Sequence, residues 1–62
     1  MSITPGQYNK VYDEIEATIK GSMTAMSREQ KEQVVTGTMA AHGLNDEQAS
    51  SSLKEHFGGR AL

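Results

Sequence analysis

Between positions 42 and 48 the chain reads His42-Gly43-Leu44-Asn45-Asp46-Glu47-Gln48. Gly43 can adopt the left-handed conformation that closes a helix, and a Schellman closure there returns Leu44 onto Met39. Asn45 then stands at a helix N-cap with Gln48 three residues later, which is the spacing of a capping box. The stretch therefore ends one helix, begins another, and predicts a tight corner between them.

Two further helix starts lie upstream and repeat this pattern. They occur in the tetrapeptides Thr4-Pro5-Gly6-Gln7 and Ser27-Arg28-Glu29-Gln30. Each begins with a hydroxyl side chain that can accept from the backbone N–H three residues on, and each ends with a Gln that can reach back. Proline suits the first helical position, where its missing N–H removes no helical hydrogen bond. Both tetrapeptides therefore predict helix N-termini.

Helix ends are predicted at Gly21, Gly43 and Gly58, each of which follows a periodic segment and is expected to be left-handed. Together with the starts, these glycines predict helices near 5–20, 28–42 and 46–57. We expect residues 1–62 to form a single small helical domain, with a frayed tail at 58–62.

Apolar residues recur at the spacing of one helical face in all three segments. This pattern predicts an all-α fold, a small three-helix bundle. Its expected core consists of Tyr8, Val11, Tyr12, Ile15, Ile19, Val34, Val35, Met39, Leu44, Leu53 and Phe57.

Gly37 interrupts the second helix, where glycine costs about 1 kcal/mol relative to alanine. Two explanations compete: a hinge, or the close approach of another helix to the bare backbone. The small size of the bundle favours close packing.

Size and charge limit the classes of function. A chain of 62 residues without cysteine has no disulfide or thiolate metal site to stabilise it, so we expect the bundle to be completed by dimerisation, giving a homodimer. Six basic and eight acidic residues give a net charge of −2, which argues against nucleic acid and anionic membrane as partners. A cytoplasmic location is expected, because the sequence shows neither a secretory signal nor a membrane span.

The residue patterns of catalysis are missing from this sequence. There is no glycine-rich phosphate loop, and His42 and His56 are fourteen positions apart, which is not a zinc-ligand spacing. We therefore expect no enzymatic activity, no catalytic or metal-binding residue and no cofactor. His42 is expected to be a packed, half-buried side chain.

The leading hypothesis is a non-enzymatic protein-interaction module, a small adaptor, regulator or inhibitor of a larger protein. Its candidate partner-binding residues are Met23 and Met26 in the connector, residues 21–27, because methionine adapts to the groove of a partner. The alternative is that both methionines cover the end of the core as a plug, which is the favoured explanation.

A second candidate surface is an acidic strip of Asp13, Glu14 and Glu16, which could dock a basic partner or simply be a solvated face. The alternative function is a small helix-turn-helix DNA-binding regulator, because the corner at Gly43 resembles that motif. Asp46 and Glu47 argue against it, since they would meet phosphates at the start of the recognition helix.

Overall fold

Three α-helices make up the computed structural model, which describes residues 3–59. They are α1 (Pro5–Lys20), α2 (Arg28–Ala41) and α3 (Glu47–Gly58), and no strand occurs among the described residues. The predicted all-α three-helix bundle is confirmed. The predicted bounds agree with these to within one residue.

Capping boxes start the first two helices, as the sequence predicts. Thr4 Oγ1 accepts from the Gln7 backbone N–H at 3.1 Å, and Gln7 Oε1 accepts from the Thr4 N–H at 2.9 Å. Ser27 and Gln30 form the same reciprocal pair at 3.1 and 2.8 Å. Each box satisfies backbone donors that have no partner inside the helix.

The cap of α3 is one residue later than predicted. Asp46, not Asn45, is the N-cap, and its Oδ1 accepts from the Ala49 N–H at 3.0 Å. Its Oδ2 accepts from the Ile3 N–H at 3.0 Å, so the carboxylate joins the start of the chain to α3. These N–H donors, first Ala49 and then Ile3, lower the pKa of Asp46 below its ordinary 3.8. An asparagine at this position would supply only one acceptor oxygen for the two donors.

Gly43 ends α2 in the left-handed conformation, with φ of 67°. Its N–H donates to the Ala40 carbonyl at 2.9 Å, and the Leu44 N–H donates to the Met39 carbonyl at 3.0 Å. These are the two hydrogen bonds of a Schellman motif. The predicted corner between α2 and α3 is therefore confirmed.

The other two glycine stops are not left-handed, contrary to prediction. Gly21 has φ of −79° and donates to the Ala17 carbonyl at 2.9 Å. Gly58 is still helical, and Gly59 caps α3 with φ of −88° and a bond to the Glu55 carbonyl at 3.0 Å. At both ends the capping glycine keeps the right-handed helical conformation, so no positive φ is needed. Of the predicted frayed tail at 58–62, Gly58 belongs to α3 and Gly59 caps it, while positions 60–62 lie outside the described residues.

The core follows the predicted helical faces. Fully or nearly buried are Val11, Ile15, Ile19, Val35, Met39, Ala49, Leu53 and Phe57. Packed against them and partly buried are Ile3, Tyr8, Tyr12, Met26, Val34 and Leu44. The prediction omitted Ala49, Ile3 and Met26 from this set.

Gly37 lies on the solvent side of α2, which contradicts the predicted close approach of another helix. A Cβ built at this position would meet no atom within 4 Å. Both α1 and α3 pack mainly on α2, and they do so on the face of Val35 and Met39. No helix within residues 3–59 is long and apolar enough to cross a bilayer.

Candidate functional site

The connector between α1 and α2 is an exposed turn with its own hydrogen bonds. The Ser22 N–H donates to the Ile19 carbonyl at 3.2 Å, and Ser22 Oγ donates to the Thr24 carbonyl at 2.7 Å. These bonds bend the chain at Met23 before it reaches the Ser27 cap. The turn therefore holds Met23 away from the helices on both sides.

The two connector methionines have different environments. Met23 is 99% exposed, and it is the large hydrophobic residue that the described part of the chain leaves in solvent. Met26 is partly buried and packs against the core. The plug interpretation is therefore wrong for Met23, whereas Met26 does cover the core. The difference follows from position, because Met26 directly precedes the capped start of α2 while Met23 lies at the bend.

An open depression of about 530 Å³ lies between the connector and the adjoining helix ends. We call it the connector surface. Its lining consists of two lysines, four apolar residues and two hydroxyl residues: Lys20, Lys31, Ile19, Met23, Ala25, Met26, Ser22 and Thr24. Both partner-binding methionines predicted from the sequence thus belong to one surface, to which the helix ends contribute cations that were not predicted.

The acidic strip does not behave as one surface. Glu14 Oε2 lies 2.5 Å from His42 Nε2 at the end of α2, and Glu16 pairs with Lys20 at 3.8 Å. Asp13 is exposed on α1. Two of the three predicted carboxylates are therefore engaged within the chain, which weakens the strip as a docking surface.

His42 is half-buried as predicted, with 27% of its side chain exposed. A carboxylate offers only acceptors, so the short contact with Glu14 requires the hydrogen of His42 to be on Nε2. The contact fastens the end of α2 to the middle of α1.

A ring cluster at the α1–α3 seam is a feature that sequence reasoning missed. Tyr12 Oη lies 2.8 Å from His56 Nε2; the centroids of these two rings are 5.2 Å apart, and each lies 4.9 Å from that of Phe57. Tyr12 and His56 are 44 positions apart, and no local pattern signals such a pair. Within residues 3–59 no group of three potential metal ligands comes together around it or elsewhere. The role of this ring cluster is therefore packing between α1 and α3.

No family model, curated protein or solved structure matches this chain. Among the described residues, the connector surface is the strongest candidate site.

Proposed function

We propose that this protein is a non-enzymatic protein-interaction module, an adaptor, regulator or inhibitor that binds a larger protein through the connector surface. The observation that carries the proposal is the exposure of Met23 beside the partly buried Met26. Burial of a methionine side chain is worth about 1.5–3 kcal/mol, which the fold does not gain at Met23. A partner that covers Met23 would gain it.

The frame around this surface suits binding. Ser27 and Gln30 cap α2 at one side of the connector, and Ile19 anchors the end of α1 in the core at the other. The turn therefore presents flexible methionine side chains from fixed ends. Such side chains adapt to a groove without a large loss of backbone entropy.

Substitution of Met23 tests the proposal. Met23→Ser removes the apolar contact, and Met23→Leu keeps it. Because Met23 is exposed, the free energy of unfolding of both variants should lie within about 0.5 kcal/mol of that of the parent chain. A protein captured from native lysate by the parent chain should be retained by Met23→Leu and lost from Met23→Ser. Capture that survives Met23→Ser would contradict the proposed surface.

Met26 provides a second, structural comparison. Met26→Ser should destabilise the bundle, by less than the roughly 2–5 kcal/mol typical of a fully buried Met→Ala change, because Met26 is only partly buried. Equal melting curves for Met23→Ser and Met26→Ser would contradict the different environments of the two side chains.

The homodimer and the cytoplasmic location remain parts of the proposal. The alternative function, a helix-turn-helix DNA-binding regulator, is favoured only by the corner at Gly43. The start of α3 carries Asp46 with a lowered pKa and an exposed Glu47, and these charges repel phosphate. The connector surface is therefore the better-supported site.

A further inference from the structure

The connector surface has a charge opposite to that of the whole chain. The protein has eight acidic and six basic residues, yet among the described residues the charged side chains that line this depression are Lys20 and Lys31. The Lys20 side chain is 62% exposed and forms a long surface ion pair with Glu16 at 3.8 Å. Such pairs contribute little and exchange readily with other carboxylates.

The dipole of α2 does not favour a cation at the position of Lys31. It is the fourth residue of α2, close to the end where the helix dipole favours acidic side chains. Lys20 is different, since it is the last residue of α1 and suits the dipole there. The two lysines come from separate helices and meet at one depression only through the fold.

Four of the residues that line the depression with the lysines are apolar. Ile19 is 8% exposed, Met26 packs on the core, and Met23 and Ala25 are exposed beside them. The alkyl stems of lysine also offer apolar contact while their ammonium groups remain in water. A ligand that matches this surface needs apolar side chains that lie on the methionines. It also needs carboxylates at either side, where they can pair with the lysines.

We propose that the connector surface binds an acidic, apolar peptide segment of a partner protein. This inference rests on the proposed function and adds the chemistry of the partner. The apolar side chains supply most of the affinity, and the carboxylates set orientation and speed of association.

Two other occupants match the surface less well. An anionic membrane is attracted by clusters of several basic residues, whereas this surface has two lysines on a chain of net charge −2. A second copy docked with its own connector surface on this one would place lysines opposite lysines, because each copy presents Lys20 and Lys31 there.

Selection from a random peptide library displayed on phage, against the full chain, tests the inference. Selected peptides should be enriched in Asp and Glu next to Leu, Ile, Phe or Met, and the Kd of the synthetic peptides should rise with salt. The double variant Lys20→Gln/Lys31→Gln should weaken them by about 2- to 25-fold, since each exposed ion pair is worth about 1.5- to 5-fold. Met23→Ser should weaken them by at least about 5-fold.

The matched control is Lys10→Gln/Lys54→Gln, which removes the same charge from residues that do not line the depression. Peptide affinity should be unchanged in it. Equal weakening in both double variants would show a response to net charge alone and would overturn the inference.

The remaining outcomes separate the two proposals. Peptides that depend on Met23 but are neutral or basic would overturn the acidic partner and leave the proposed function standing. No selected peptide, or peptides indifferent to Met23, would overturn both. Binding to phosphatidylserine vesicles that is lost in Lys20→Gln/Lys31→Gln would assign the surface to a membrane. A dimer, measured by light scattering, that is lost in the same variant would assign it to a second copy. Either result would overturn the inference.

Discussion

Replacement of Gly37 by alanine should stabilise this protein. Gly37 lies inside α2, is exposed, and has open space where a Cβ would stand. The substitution therefore adds no clash and removes the helix-propensity penalty of glycine, about 1 kcal/mol. For a domain of this size that gain corresponds to a Tm increase of about 4–8 °C. Thermal and urea unfolding followed by far-ultraviolet circular dichroism measure it.

Gly43 supplies the control of opposite sign. Its φ of 67° puts alanine into the left-handed conformation, at a cost of about 1–2 kcal/mol, although its Cβ would also meet open space. Gly43→Ala should therefore lower Tm while Gly37→Ala raises it. A decrease for Gly37→Ala would refute the reasoning, because it would mean that another surface packs on the bare backbone, as in a dimer formed through α2.

The remaining predictions concern pH, nucleic acid and self-association. The pKa of Asp46 is lower in the folded state than its ordinary 3.8, so its contribution to stability is present above pH 3.8 and is lost as the pH falls through the folded pKa. Asp46→Asn should therefore flatten this part of the acid-unfolding profile. An unchanged profile would assign the acid sensitivity to other groups. Duplex DNA at physiological salt should bind no tighter than a Kd of about 10⁻⁴ to 10⁻⁶ M in a fluorescence anisotropy titration, and sequence-selective binding near 10⁻⁸ M would favour the helix-turn-helix alternative. If the chain is a homodimer, its Tm should rise with protein concentration, whereas a constant Tm over a hundredfold range with a monomer mass by light scattering would reject the dimer.

The sequence by itself determined the helices and most of the core. Capping boxes act over three residues, and the apolar faces repeat every three or four, so both are visible locally. The Schellman corner at Gly43 has the same local origin, since its two hydrogen bonds span Met39 to Leu44. Composition also singled out the connector, because two methionines stand out in a polar turn, and its role in binding stays a prediction.

Tertiary structure decided which residues meet and which stay in solvent. The choice of Asp46 over Asn45 as the cap of α3 depends on a second donor from Ile3, 43 positions away. Whether Gly37 faces a helix or water depends on which helix faces pack together. Lys20 and Lys31 come together at one depression for the same reason. Contacts between distant segments depend on global packing, which no local spacing of residues encodes.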